Sequence, residues 1–250
     1  TSGIVTIPNT GYSQSFNVIA NITTTVNIPN DLAEHFSSQV IENMAVLVET
    51  LDTVSVFAIN FKGYTADATK ILPIKSIGID YRISAYSGIG ATVESEFLIV
   101  STEDSTQVEI TPSVNTLEGN LAGVPFIVNL NRGETYQVKA QDGYADLTGS
   151  TIIGTEASGP CRPFAVFSGS ICTNVPVGCY ACDHVYEQNF PVNTWGKDFY
   201  VVPFSFATSY TYRVMANEDN TQVTIDGGAP YTLNAGEYED YNYEPDAVCV

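Results

Sequence analysis

The residues best suited to chemistry in this chain are its cysteines and histidines. Cys161, Cys172, Cys179 and Cys182 fall within 22 residues, Cys249 stands alone near the end, and His184 closely follows the cluster. Two chemistries fit. Cys179-x2-Cys182 with His184 is the kind of spacing that ligates zinc, while four clustered thiols can also form a local disulfide staple. Zinc ribbons and fingers pair two such short spacings; Cys161 and Cys172 lie eleven positions apart and break that pattern. The chain is rich in Thr and Tyr, only 15% of its residues are charged, and it carries an N-glycosylation sequon at Asn21-Ile22-Thr23. These features suit an oxidising, secretory setting. The expectation is therefore disulfides among Cys161, Cys172, Cys179 and Cys182, with no metal. Cys249 either pairs with a residue outside these 250 or closes back onto the cluster.

The acidic residues are the second candidate. There are 28 acids against 9 bases, a formal net charge of −19. Such a surface repels nucleic acid, which binds through Lys and Arg that displace phosphate counterions. Solubility is the simpler use of the acid, and Ca²⁺ the alternative. Two tetrapeptides matter here: Glu103-Asp104-Ser105-Thr106 and Glu218-Asp219-Asn220-Thr221. Their side chains suit a tight turn, and a cation site built from both pairs of carboxylates is the competing reading. The EF-hand pattern is absent.

Catalytic signatures are missing. The chain has no G-x-S-x-G, H-E-x-x-H or P-loop, and nothing marks one carboxylate pair as glycosidase-like. His184 reads as packing on the cysteines or bonding a backbone carbonyl, and His35 as sitting on an exposed turn. Trp195, the single tryptophan, precedes a Gly and reads as core. The chain is read as a non-enzyme with no cofactor.

These residues must be positioned by strands. Residues 46–60, 96–104, 106–112, 126–140, 163–169, 198–206 and 212–219 alternate or are rich in Val, Ile, Tyr and Phe. Residues 31–45 carry helical spacing with Asp31 as N-cap, and read equally well as strand and loop. No apolar run is long enough for a transmembrane helix. A phrase recurs: FLIVSTEDSTQVEITP (97–112), YRVMANEDNTQVTID (212–226) and a degraded FNVIANITTTVNIP (16–29). Each reads as a β-hairpin. LNRGETYQV (130–138) and LNAGEYEDY (233–241) follow the first two, with Gly supplying the positive φ of a turn. ILPIKSIGIDYRI (71–83) and NFPVNTWGKDFYVV (189–202) precede them. Fold class is therefore all-β, a tandem of antiparallel repeats forming sandwich-like units, with a propeller-like arrangement as the alternative. The units run 1–70 (partial), 71–188 (complete, with the cysteine cluster) and 189–250 (truncated), and the chain reads as an excerpt of a longer protein.

ADLTGSTI (145–152), PFAVFSGSICTNVP (163–176), CDHVYEQNFPVNTWGKDFYVVP (182–203) and YRVMANEDNTQVTIDG (212–227) together resemble the N-terminal domain family of the IgG Fc-binding protein. The same steps occur there in the same order, and 50–140 matches the family's earlier half. The resemblance implies a secreted or cell-surface module of larger mucus, matrix or adhesive proteins, partnered by other extracellular proteins, glycans or itself, with no membrane insertion. It implies a bridge between Cys172 and Cys182, and leaves Cys161 and Cys179, which have no counterpart in the motif, to a second bridge. The family's name comes from Fc binding by one mammalian member, and no antibody site is carried over.

Overall fold

The computed structural model describes residues 1–155, 161–175, 181–202 and 210–243. In chain order its strands are β1 (Ser2–Ile7), β2 (Tyr12–Asn17), β3 (Ile41–Glu42), β4 (Leu47–Thr50), β5 (Val56–Lys62), β6 (Thr65–Ile71), β7 (Asp80–Arg82), β8 (Ser95–Ser101) and β9 (Thr106–Thr111). They continue as β10 (Phe126–Leu130), β11 (Thr135–Lys139), β12 (Thr151–Gly154), β13 (Phe164–Thr173), β14 (Asp183–Gln188), β15 (Tyr210–Met215), β16 (Thr221–Val223), β17 (Tyr231–Leu233) and β18 (Tyr238–Tyr243). The helical spacing at 31–45 yields a single turn, α1 (Asn30–Ala33), which lacks a side-chain cap. Extended chain and β3 follow it, because Ile41 pairs with Tyr136 of β11 instead of continuing a helix.

The fold is all-β and antiparallel. A five-stranded sheet, β14-β13-β8-β11-β3, faces a four-stranded sheet, β10-β9-β12-β7. Their inner faces share one core that includes Phe97, Ile99, Val108, Ile110, Leu130, Val138, Ile152, Phe164 and Tyr81. Alternation dictates this: β8 and β9 each bury every second residue, so each offers one apolar face, and two such faces close a sandwich.

The recurring phrase is not a hairpin. β8 pairs with β11 and β13, while β9 pairs with β10 and β12. The turn at 102–105 thus carries the chain from one sheet across to the other, forming an arch. A hairpin and an arch share the same alternation and turn residues, but in the arch each strand faces the core from its own side. The turn at 131–134 crosses back, so β8–β11 and β9–β10 are nested pairs. The second copy repeats the plan: β15 pairs with β18, and β16 with β17.

The two copies agree bond for bond. Asp104 Oδ1 accepts the Arg132 N–H at 3.1 Å, and Asp219 Oδ1 accepts that of Ala235 at 3.1 Å. Asn131 and Asn234 accept from the N–H groups of Ser105 and Asn220, at 3.3 and 3.2 Å. Their own N–H groups donate to Glu134 and Glu237, at 2.6 Å each. Thr106 and Thr221 donate to the Glu103 and Glu218 carbonyls at 2.8 and 2.7 Å. Gly133 and Gly236 take φ of 82° and 83°. The degraded copy lacks this architecture: β2 lies in the sheet β2-β1-β4, and residues 18–29 contain no strand. Within 198–206, residues 198–202 are not in a strand, and 203–206 lie outside the described residues.

Candidate functional site

The two copies meet at Arg213 on β15. Its guanidinium makes two bonds to Asp240 on β18, at 2.6 and 2.7 Å. It donates to Thr148 at 2.7 Å and to the Ala85 carbonyl, and lies 3.4 Å from Asp146. The rings of Tyr86 and Tyr238 flank it, each centroid 4.0 Å away. The Arg213 side chain is only 7% exposed, so its charge stays buried because carboxylates and π faces surround it. Burial acts to lower its pKa, but the Asp240 bonds and nearby negative groups outweigh that and raise it. Burial, then Asp146, raises the Tyr238 hydroxyl to about 12, and that hydroxyl donates to Asp146 at 3.2 Å. Arg82 on β7 adds a second tie, donating to the Asn217 side chain at 3.1 Å and its carbonyl at 3.3 Å.

Beside this junction opens a cleft of about 310 Å³, lined among others by Asp67, Arg82, Tyr86, Tyr186, Glu187 and Trp195. The β5–β6 hairpin reaches it through Asp67. The hairpin packs on β14 through side chains: Thr65, Asp67 and Thr69 accept from the N–H groups of His184, Tyr186 and Gln188, at 3.0, 2.8 and 2.9 Å. Three polar side chains at every second position of β6 thereby cap the N–H groups that edge strand β14 would leave unpaired. Burial raises the Glu187 carboxyl and lifts the Tyr186 hydroxyl well above the usual tyrosine range. The cleft combines aromatic faces, amides and carboxylates, groups that hold a polar ligand by stacking and hydrogen bonds. No histidine lines it.

The cysteines lie at the other end of β14. Cys172 and Cys182 are bonded, with Cα atoms 5.3 Å apart, tying the end of β13 to the start of β14. Cys161 is half-buried, its Sγ 3.4 Å from the Gly154 carbonyl oxygen, and among the described residues it has no disulfide partner; Cys179 and Cys249 lie outside the described residues. His184 bonds the Ser170 carbonyl at 3.0 Å and Asn60 at 3.1 Å. His35 is not on an exposed turn. It is half-buried, bonded to Thr135 at 2.8 Å, and burial lowers its pKa. Trp195 is not core either; half-buried, it donates to the Phe190 carbonyl at 3.2 Å and faces the cleft.

The structure places Asp104 and Asp219 as acceptors at the arches, and Glu103 3.8 Å from Arg162. Among the described residues, no group of three or more His, Cys, Asp or Glu is arranged to hold a metal ion. Asn21 is exposed, with φ of 63°, beyond β2. Among the described residues no helix is long and apolar enough to cross a membrane. Sequence reasoning missed Arg213, Tyr86 and Asp240. Arg213 occupies the register of Leu98 in the first copy, and a basic residue inside an alternating apolar strand was the available signal.

Known proteins place these features. No solved structure matches the chain. A human protein named IgGFc-binding protein is 27% identical over 219 residues, covering 85% of this chain and 4% of the relative. The chain thus spans a small fraction of that relative's length. The family model described as IgGFc binding protein matches residues 67–250, which contain both arches, the Cys172–Cys182 bridge and the Arg213 junction; the chain belongs to the IgGFc-binding protein family.

Proposed function

We propose that this chain is a non-catalytic, secreted module that serves adhesion or structural assembly within a larger matrix, mucus or cell-surface protein. The observation that carries this reading is the outward face of the β5–β6 hairpin. Phe57, Ile59 and Phe61 alternate along β5 and are 64, 68 and 72% exposed, while the opposite face caps β14. A row of large apolar side chains held in water marks a protein contact surface. The Cys172–Cys182 bridge and the small share of a much longer relative support the same reading. Under this proposal Asn21 carries a glycan, Cys161 and Cys179 form a second bridge in the mature protein, and the chain is organised as 1–70, 71–188 and 189–250.

A second reading, glycan or immunoglobulin binding, is supported by the cleft with Tyr186 and Trp195 and by the relative's name. One experiment separates the two. The chain is passed over immobilised mucin-rich matrix, immobilised IgG Fc and a glycan array, alongside Ile59→Asp/Phe61→Asp and Trp195→Ala variants. The assembly reading predicts retention on the matrix that the hairpin variant loses and Trp195→Ala keeps. Retention on Fc or a glycan that Trp195→Ala alone abolishes would replace it with the second reading.

A further inference from the structure

Two exposed faces of this molecule carry complementary chemistry. The first belongs to the β5–β6 hairpin. Its register sets Phe57 opposite Lys70, Ile59 opposite Ala68 and Phe61 opposite Ala66, so these six side chains share the face turned away from β14. All six are exposed. Lys70 is the one charged residue among them.

The hairpin is also basic within an acidic chain. The net charge is −19, yet residues 53–79 hold three of the nine bases and a single acid. That acid, Asp67, is on the opposite face, where it accepts the Tyr186 N–H. Lys62 is held by Glu34 at 2.8 Å. Among the described residues Lys70 takes part in no ion pair, and Lys75 follows it, exposed.

The second face is the outer side of the four-stranded sheet. Ile127, Glu109, Ile153 and Asp80 lie side by side across β10, β9, β12 and β7, apolar alternating with acid. Ile127 and Ile153 are 54 and 39% exposed. Among the described residues Glu109 and Asp80 take part in no ion pair. Thr111, Thr151 and Arg82 form the next row on that side. Along it the 235–237 turn closes one side of a cleft of about 390 Å³, so this face is concave where the hairpin is a ridge.

We propose that the hairpin of one molecule docks on the Ile127–Asp80 row of a second molecule of this chain. Phe57, Ile59 and Phe61 pack against Ile127 and Ile153, and Lys70 reaches Glu109 and Asp80. The occupant follows from charge: one apolar strip carries a free ammonium, the other carries free carboxylates, and every molecule displays both. Hairpin on hairpin would set Lys70 against Lys70, and sheet on sheet would set Glu109 and Asp80 against their like, which an interface penalises. The contact is therefore heterologous. Each molecule in a pair keeps one face unused, so molecules add head to tail. A few large side chains on each side make a small contact, and a single pair is weak and reversible. This inference rests on the hairpin as the contact surface proposed above, and names its partner.

Sedimentation velocity of the full chain over a concentration series tests it. The native chain should show a mass that climbs past that of a dimer, and added salt should return it toward monomer by screening Lys70. Ile59→Asp/Phe61→Asp and Ile127→Lys/Ile153→Lys alter exposed positions, should keep the native melting temperature, and should each be monomeric alone. Mixed, they should form a dimer and nothing larger, since one intact hairpin then meets one intact sheet face. Lys70→Glu should weaken association about tenfold or more, and Lys70→Glu with Glu109→Lys should restore it. A native chain that stays monomeric overturns the proposal, as does self-association that either double variant retains. Matrix retention lost by the hairpin variant, with no self-association of the native chain, would leave the assembly reading standing and overturn this partner alone.

Discussion

Arg213 and Asp240 face each other across β15 and β18 as a bidentate pair, at 2.6 and 2.7 Å, in the register where the first copy has Leu98 and Gln137. The substitution turns an ordinary cross-strand contact into the tie between the two copies, because the same guanidinium also reaches Thr148 and lies between Tyr86 and Tyr238.

Arg213→Ala should therefore be among the most damaging single changes. Removing one partner of a buried pair costs about 3–5 kcal/mol; Asp240 is 33% exposed, which places the loss at about 2–3 kcal/mol. Arg213→Lys should recover little, since an ammonium can neither bond bidentately nor stack as a plane. Urea denaturation of the three proteins gives the answer; a lysine variant as stable as the native chain would refute the role assigned to the guanidinium.

Gly149 lies against Gly236 with φ of 88°, and a Cβ on it would sit 2.6 Å from the Gly236 carbonyl oxygen. Gly149→Ala adds that clash to the about 1–3 kcal/mol cost of a left-handed non-glycine residue. Gly227→Ala, with φ of 71° and nothing within 4 Å, incurs the conformational cost alone. The first variant should melt below the second; equal melting temperatures would mean that the two glycines are not in contact.

Glu96 is largely buried on β8, with Lys139 4.0 Å away. Burial lifts its carboxyl from 4.5 to about 7, Lys139 opposing and Glu94 adding to the rise. A carboxyl whose pKa is higher folded than unfolded holds its proton more tightly in the native state. Stability is therefore favoured below about pH 4.5 and falls as pH rises toward 7. Native chain should lose on the order of 2 kcal/mol more than Glu96→Gln between pH 5 and pH 8. Parallel pH profiles for the two would contradict the assignment.

The Cys172–Cys182 bridge closes a short loop, with a sequence separation of 10. Loops of this size contribute about 2–3 kcal/mol by limiting the unfolded chain. A melt in reductant should fall by several degrees, with early loss at β13–β14; an unchanged melt would show that the bridge adds nothing.

Much of this was legible in the sequence. Strands β8, β9, β10, β11 and β13 announce themselves by alternation or Val, Ile and Phe content, and the ED(N/S)T and Asn-x-Gly-Glu turns by their residues, whereas β12 (Thr151–Gly154) was not among the expected strands. Partnership was not legible: a strand's period says which face is buried, not which neighbour it bonds, so β8 and β9 read as a hairpin and folded as an arch. Residues 198–202 show the same limit, with the pattern of β7 but no described strand to pair with. At 31–45 helical spacing gave way to the pairing of Ile41 with β11. The Arg213 junction was hidden because a guanidinium among apolar residues acquires meaning only when Tyr86, Asp146 and Asp240 arrive from three other segments.

Intact mass and cysteine mapping of the protein from its natural source, with and without reduction, give the most direct test of an extracellular module. A Cys172–Cys182 linked peptide and a glycan on Asn21 are the expected result. Freely alkylated thiols at Cys172 and Cys182 with an unmodified Asn21 would contradict an extracellular module.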